Sequence, residues 1–490
     1  MFPTEGFAMR SRHVLPLQFF SMPSLGLRFW VGVGGVVVGT AAGMLAGINS
    51  LYLGKALAAV IVVVYFFADF ERAALGMLLL RSSFDNFSEQ QIPTLLSLGI
   101  DALTLLYVTV LLLTRQTVHT DGFWWFFAGW LMLQGLWPIL YVLGEIGPLN
   151  VDVLPDISRE LTRLFSLLIV YLLVMQLKDR LHPEKIISLL FLSLIPPVTV
   201  ALMQIFLPVS LLPSVLWPLG ERLRGTLGHP NALVTYLLLF IALTCWKLMR
   251  ARRRWPWILL LGLLAFLFVG TKALFGLTMF SVFVVVLIAP RLNLPNLIGG
   301  IVLVVLTLAL FSSTPFGQQR LSSVLSTPLF DHNFDVSRAV ITANWDFNSF
   351  NWRLAQWTFL LQSWQNSRIL GYGQGTSVYL SEYHLYAHND YVRALVEGGI
   401  VGLITFLFFL GAQFVRLVQL VGCAPRGSAH RDFCLTLLAV FLSIPVAMFT
   451  ENMWSQTTFF FYWWILFAIA GWNWDQPPHR NSPLARFLSG

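Results

Sequence analysis

Residues 351–402 read NWRLAQWTFLLQSWQNSRILGYGQGTSVYLSEYHLYAHNDYVRALVEGGIVG, and this stretch divides the chain. The sequence is predominantly apolar before Phe311 and again after Gly399, and the longest polar interval, residues 312–397, lies between them. The stretch carries a GYGQG segment and a His-Asn-Asp run that begins at His388. We therefore expect two bundles of apolar helices, with a polar segment between them that stays outside the lipid.

The composition indicates an all-α polytopic membrane protein. Of the 490 residues, 57% are hydrophobic and 11% are charged, whereas soluble domains carry about 25% charged residues. Many separate apolar runs approach or exceed the roughly 18 residues that a helix needs to cross a bilayer. A membrane β-barrel would instead show segments of about ten residues with alternating hydrophobicity.

Lysine and arginine in short loops orient the predicted helices, because such loops face the cytoplasm. Clusters of this kind occur at residues 178–185, 247–254 and 426–431 and in the C-terminal tail. They explain the net charge of +8, and we see no soluble basic face that would indicate nucleic-acid binding. This orientation puts three segments on the far side of the membrane: residues 208–231, 270–272 and 312–397.

The apolar runs supply the candidate spans. These cover residues 29–48, 53–70, 92–113, 123–143, 162–178, 186–207, 232–248, 256–270, 273–289, 296–311, 399–420, 433–450 and 455–472. The orientation requires an odd number of spans before residue 312, so one early segment is not a full span and we expect about 12 transmembrane helices. The run with Asp69, Glu71 and Arg72 is the candidate for a short span followed by an amphipathic helix. Pro196-Pro197 predicts a kink within 186–207, because proline lacks a backbone donor.

Four regions follow from this pattern. We assign an N-terminal transmembrane bundle to residues 1–311, a far-side polar loop region to 312–398, a C-terminal transmembrane bundle to 399–472 and a cytoplasmic tail to 473–490.

The first far-side candidate for chemistry is the segment RLRGTLGHPN at residues 222–231. Glycines let a backbone approach a ligand closely, and Arg224 suits phosphate because a guanidinium donates two parallel hydrogen bonds. On composition alone, an ordinary interfacial loop whose arginines reach the headgroups explains the segment better. The second candidate is Lys272, in a turn at the membrane surface, where an ionisable residue is either functional or in contact with headgroups.

The third candidate is the polar interval itself. Before Asp390, its four arginines are balanced by four carboxylates, so an individual arginine matters only through its placement. A helical pattern begins at Asn389, and Arg393 and Glu397 have the spacing of an ion pair within that helix. His388 lies near the first turn and suits general-base chemistry, although a lone histidine is more often structural. His384 and His388 could face one metal, but no carboxylate completes an HExxH motif and we expect no metal.

Several motifs occur in an order that resembles the O-antigen ligase and polymerase superfamily. They are Arg353 four residues before Trp357, the GYGQG turn, His388-Asn389, and Gly399-Ile400-Val401-Gly402. The segment at 222–231 resembles that family's first far-side motif, and the Lys272 turn resembles a position where the family usually has arginine. The resemblance runs from about residue 223 to 402.

The resemblance implies an inverting, metal-independent glycosyltransferase of the GT-C type in the bacterial inner membrane, with no cofactor. Such enzymes take a glycan from undecaprenyl pyrophosphate at the periplasmic face. The acceptor is lipid A core in ligases, a second lipid-linked glycan in polymerases, or a protein in a related branch.

Roles for individual residues are also implied by position. His388 would be catalytic and would deprotonate the acceptor hydroxyl, and Arg353 would bind the pyrophosphate and stabilise charge on the leaving group. Lys272 and Arg224 would also bind the pyrophosphate. Four further residues would support the site: Asn389, Tyr391, Gly373 and Gly375.

Two other classes compete with an enzyme. A transporter of lipid-linked glycan would show internal repeats and charges near the middle of the membrane, whereas these charges collect on one face. A structural or assembly protein would bury His388 with no cavity beside Arg353.

Overall fold

A computed structural model describes residues 50–146, 151–289, 294–313, 349–381 and 383–475, together with 315, 317, 318 and 322. Within these residues the chain forms α-helices and short 3₁₀ turns and contains no strand. The predicted all-α fold is confirmed. The predicted span at 29–48, most of the polar interval before residue 349, and the tail after residue 475 lie outside the described residues.

The helices before the polar interval are α1 Ser50–Ala68, α2 Phe70–Leu80, α3 Ile92–Leu113, α4 Gly122–Gln134, α5 Leu136–Val142, α6 Leu154–Gln176, α7 Pro183–Leu190, α8 Ile195–Phe206, α9 Pro230–Arg250, α10 Trp255–Gly270, α11 Leu274–Ile288 and α12 Leu294–Ser312. The later helices are α13 Ser349–Trp364, α14 Asp390–Cys423, α15 Ala429–Ala447 and α16 Thr457–Ala470.

Six segments of the described chain are long and apolar enough to cross a membrane. They are Ile92–Leu113, Gly122–Val142, Pro183–Phe206, Pro230–Arg250, Asp390–Cys423 and Ala429–Ala447. Shorter apolar helices of 10–17 residues occur in α1, α10, α11, α12 and α16. The protein is therefore a multi-span membrane protein, and the total of about 12 spans stays a prediction.

The C-terminal helix α16 forms the centre of the bundle. Its side chains are buried from Thr458 to Ala470, and it packs against α6 and α9. A helix that is apolar on all sides is stable in such a position because it meets other helices on every face. The loop between α15 and α16, residues 448–456, is consequently held above the middle of the bundle.

The segment predicted to kink at Pro196-Pro197 is split in two. A 3₁₀ turn at Phe191–Leu194 separates α7 from α8, and the prolines occupy the first turn of α8, where a missing N–H costs little. Gly225 packs against this break, since a Cβ on it would lie 2.7 Å from the Pro197 carbonyl oxygen. The break therefore anchors the loop at 222–231.

A second irregularity bends α14 at Gly399, whose φ of 64° and ψ of −163° suit only glycine. Ile400 N–H donates to the carbonyl of Arg368 at 2.9 Å instead of to a helical partner. The GYGQG turn packs on the same bend, because Gly373 N–H donates to the Glu397 carbonyl at 2.8 Å. The two glycine motifs therefore fix each other and the first turns of α14.

Candidate active site

His388 lies immediately before α14 in the left-handed backbone region, at φ 49°. Asn389 caps the helix, since its side-chain oxygen accepts from Tyr391 N–H at 3.0 Å and from Val392 N–H at 3.1 Å. The His388 side chain is 26% exposed, and Trp352 packs edge-on against its ring with centroids 5.3 Å apart. Local chain geometry thus sets the position of the imidazole.

Helix α13, which carries Arg353, holds the loop that leads to His388. The indole N–H of Trp357 donates to the Ala387 carbonyl at 2.6 Å, and the Gln356 amide donates to the Leu385 carbonyl. Arg353 is half-buried on the same helix. The motif that begins at Arg353 and ends at His388 therefore folds into one unit.

A carboxylate faces the histidine. Glu451, in the loop between α15 and α16, is 4% exposed, and its Oε1 lies 3.4 Å from Nδ1 of His388. The loop is tied to the start of α14, because Asp390 N–H donates to the Met448 carbonyl at 2.9 Å and Trp454 N–H donates to Asp390 Oδ2 at 2.7 Å. These bonds hold Glu451 beside the imidazole.

Asn231 and Arg222 extend this contact into the loop at residues 222–231. The Asn231 amide donates to Glu451 Oε2 at 2.7 Å, and Arg222 Nη2 donates to Asn231 Oδ1 at 2.7 Å. Arg222 Nε also donates to the Thr271 carbonyl at 3.1 Å. The structure therefore brings residues 222–231, the Lys272 turn, the His388 segment and the Glu451 loop together.

Charge and burial oppose each other at Glu451. Burial alone would raise the pKa of its carboxyl, as expected for a charge removed from water. The neighbouring His388 and Arg353, with the hydrogen bond from Asn231, outweigh burial and hold this pKa below its ordinary value. Glu451 is therefore ionised near neutral pH, and Arg353 is close enough to act on it electrostatically.

A second histidine borders the cluster. His229 caps α9 through Nδ1, which accepts from Asn231 N–H at 3.1 Å. Burial is the largest cause that lowers its pKa, and the positive charge of Arg222 adds to the effect. His229 is therefore neutral near pH 7 and belongs to the structural frame of the site.

The two other predicted cations have different surroundings. Lys272 lies in the left-handed region at φ 52°, and its Nζ is 2.7 Å from Glu221 Oε2. The guanidinium of Arg224 donates to three carbonyls of its own loop, those of Trp217, Val215 and Gly228. Arg222, which the sequence pattern did not single out, is the arginine of this loop that reaches the His388 cluster.

The predicted pair between Arg393 and Glu397 is present, with Nε and Oε1 3.0 Å apart. Arg393 also lies 3.3 Å from Glu160 Oε2 on α6 and donates to Ser455 Oγ at 2.6 Å. Both charges of the predicted pair are buried. This network attaches α14 to α6 and to the Glu451 loop.

A large apolar cavity opens beside Lys272. Its volume is about 920 Å³, and it lies among α8 to α12. Polar side chains occur at one end, where Gln204, Glu221 and Lys272 line it, and most of the remaining lining is aliphatic or aromatic. Such a cavity can hold an extended apolar chain whose polar end remains at the Lys272 turn.

Three cluster residues were absent from the predicted set: Arg222, Asn231 and Glu451. The first two lie in the quoted RLRGTLGHPN segment, two and seven positions from Arg224. Glu451 had a recognisable signal, because it is a carboxylate in a short loop between two apolar helices, and an ionisable residue at the membrane surface is a functional candidate.

The helices and this polar cluster together define a multi-span membrane protein with a histidine–carboxylate site at one end of its bundle. Within it, residues 270–407 match the family model described as O-antigen ligase. The chain thus carries an O-antigen ligase domain, and the resemblance to the O-antigen ligase and polymerase superfamily is confirmed. The match begins at the Lys272 turn and includes Arg353 and His388, whereas Arg222, Asn231 and Glu451 lie outside it. No curated protein matches the chain.

Proposed function

We propose that the protein is an inverting glycosyltransferase that moves a glycan from undecaprenyl pyrophosphate to lipid A core at the periplasmic face of the inner membrane. The observation that carries the proposal is the environment of His388. The ring is half-buried, faces an ionised carboxylate, and shares its surroundings with Arg353 in a domain of the O-antigen ligase family.

His388 is the general base in this reaction. The acceptor hydroxyl attacks the anomeric carbon from the side opposite the pyrophosphate, and its proton passes to Nε2 of His388. The new bond joins the acceptor oxygen to the sugar, the bond between the sugar and the phosphate oxygen breaks, and undecaprenyl pyrophosphate leaves with the bonding electrons. A positioned base of this kind contributes about 10²- to 10⁴-fold in rate.

Cations stabilise the negative charge that develops on the pyrophosphate in the transition state. Fixed positive groups are most effective when they face the oxygens that gain charge in the transition state. Arg353 fills this role in the proposal, with Lys272 as a second cation. Arg224 remains a weaker candidate, because its guanidinium already holds three carbonyls of its own loop.

The apolar cavity supports a lipid-linked donor. Its polar end, where Lys272 pairs with Glu221, connects through Thr271 and Arg222 to the His388 cluster. A polyprenyl chain in the cavity would leave its pyrophosphate at that end. The cavity therefore joins lipid binding to the proposed chemistry.

The test uses purified protein, synthetic undecaprenyl-pyrophosphate glycan and lipid A core. We expect the wild type to form glycosylated acceptor and to release undecaprenyl pyrophosphate. His388→Ala should lower kcat by about 10²- to 10⁴-fold and Arg353→Ala by about 10²- to 10³-fold, both with wild-type melting behaviour.

His384→Ala is the matched control, since it removes an exposed imidazole four residues away, and it should retain activity. Full transfer by His388→Ala would refute the proposal. Movement of the lipid-linked glycan across a vesicle membrane without cleavage would identify a transporter instead.

The acceptor separates the alternatives within the superfamily. Elongation of a second lipid-linked glycan by successive repeats would identify a polymerase, and modification of a serine- or threonine-containing polypeptide would identify a protein O-oligosaccharyltransferase. Counting the repeats on each product by mass spectrometry distinguishes all three outcomes.

A further inference from the structure

Glu451 has a set of contacts that packing alone does not require. A buried carboxylate is costly unless charged or hydrogen-bonding partners compensate it. Glu451 obtains this compensation at both oxygens, from the Asn231 amide at Oε2 and from the His388 ring beside Oε1. Both partners come from far-side segments that are remote in sequence.

We propose that Glu451 is the positioning residue of the catalytic base, held in place by Asn231 and Arg222. Its carboxylate directs Nδ1–H of neutral His388 toward itself and thereby leaves Nε2 unprotonated. When Nε2 takes the acceptor proton, the imidazolium forms next to a negative charge. This inference rests on the proposed function, because it assigns a role around the same histidine.

The orientation of the Asn231 amide follows from its neighbours. Arg222 can only donate hydrogen bonds, so the Asn231 atom that it contacts must be the amide oxygen. The amide nitrogen of Asn231 therefore points to Glu451 and donates a hydrogen bond to Oε2. Oε1 is the carboxylate oxygen that remains directed at His388.

The charges around His388 and Glu451 determine how removal of the Glu451 carboxylate should change the pH dependence of transfer. Arg353, on α13, and His229, at the start of α9, both interact electrostatically with the Glu451 carboxylate. Arg222 is hydrogen-bonded to Asn231, and Asp390 is close enough to Glu451 for a repulsive interaction. Removal of the Glu451 charge leaves a net positive set around the ring, so protonated His388 loses its favourable partner.

Glu451→Gln provides the decisive variant, because it keeps the shape and removes the charge. The oxygen of the introduced side-chain amide would accept from Asn231, so the nitrogen of that amide would donate to Nδ1 of His388. This forces the proton of the neutral ring onto Nε2, the nitrogen that must act as the base. The variant should therefore be folded and almost inactive.

The experiment combines kinetics with ¹⁵N NMR of histidine-labelled protein, in which the His388 signals are assigned by their loss in His388→Ala. We expect wild-type His388 to carry its neutral proton on Nδ1, and Glu451→Gln to carry it on Nε2. The variant's kcat should fall about 10²-fold or more with the donor KM within about twofold, and the acidic limb of its pH–rate profile should move to lower pH. Glu451→Asp, which restores the charge at a shorter reach, should recover part of kcat and the Nδ1–H tautomer.

The outcomes are distinguishable. An unchanged tautomer and an unchanged pH–rate profile in Glu451→Gln, with active wild type and inactive His388→Ala, would overturn the positioning role and leave the proposed function intact. If the wild type transfers no glycan, the proposed function fails, and the NMR tautomers still decide whether Glu451 orients the ring. His384→Ala should change neither readout.

Discussion

At the scale of single residues, the site depends on which nitrogen or oxygen each side chain presents. Nδ1 of His388 faces Oε1 of the Glu451 carboxylate, and the other oxygen of that carboxylate accepts a hydrogen bond from the Asn231 amide. Arg222 and Arg224 are two positions apart in one loop, yet Arg222 reaches the cluster and Arg224 binds carbonyls of its own loop. Residue type alone therefore does not separate a site arginine from a structural one.

Substitution of Lys272 should weaken donor binding, whereas substitution of Arg224 should lower the stability of the protein. Lys272→Gln should raise the donor KM about tenfold or more, because it removes a charged contact worth about 1.5–3 kcal/mol with pyrophosphate. Lys272→Arg should keep the KM near or below the wild-type value, since the guanidinium adds bidentate geometry.

Arg224→Gln is the comparison, and it should lower the melting temperature while the donor KM of the folded protein changes little. Steady-state kinetics over a range of donor concentrations, with melting curves in detergent, measures both effects. Equal donor KM values for Lys272→Gln and the wild type would show that Lys272 does not bind the donor.

At the scale of elements, irregular points in helices position the site. The bend of α14 at Gly399 and the break between α7 and α8 each give a loop a place to dock. Without the bend, the GYGQG turn would lose its hydrogen bond to the Glu397 carbonyl. The first turns of α14, which follow His388 directly, would then lose one of their external supports.

Gly399→Ala should be strongly destabilising. Its Cβ would lie 2.2 Å from the Ile369 carbonyl oxygen, and its backbone conformation alone costs a non-glycine residue about 1–3 kcal/mol. We expect a lower melting temperature and loss of transfer activity together.

Gly411→Ala is the matched control in the same helix. A Cβ at Gly411 meets no atom within 4 Å, and alanine is the better helix former by up to about 1 kcal/mol. This variant should be as stable as the wild type or more stable. Wild-type melting of Gly399→Ala would show that α14 tolerates a straight helix here.

At the scale of the whole molecule, the bundle provides a polar cluster and an apolar cavity that meet at the Lys272 turn. The cavity lies among helices whose exposed sides are also apolar. A chain of lipid can therefore reach it without crossing a polar layer. This arrangement suits an enzyme whose substrate is half lipid and half glycan.

Narrowing the cavity should affect long-chain donors selectively. Ala265 lines it on α10, and Ala265→Phe should raise the KM for an undecaprenyl donor several-fold, because each excluded CH₂ forfeits about 0.8 kcal/mol of burial. A donor with a short prenyl chain should be much less affected. Ala58→Phe, at an exposed position on α1, is the control and should leave both KM values unchanged. An equal rise for both donors would place the lipid chain elsewhere.

The sequence by itself determined the all-α membrane fold, the approximate helix positions and the pair between Arg393 and Glu397. These follow from local information, namely apolar run length and helical spacing, whereas the grouping of Arg353 with His388 came from the motif order that resembles the O-antigen ligase and polymerase superfamily. Only the tertiary structure decided that Glu451 faces His388 and that Asn231 lies between Glu451 and Arg222. It also decided that Arg224 donates its hydrogen bonds to carbonyls of its own loop. The Asn231–Glu451 bond joins residues 220 positions apart. Such contacts depend on how helices pack and where they bend, and this geometry leaves no periodic signal near either residue.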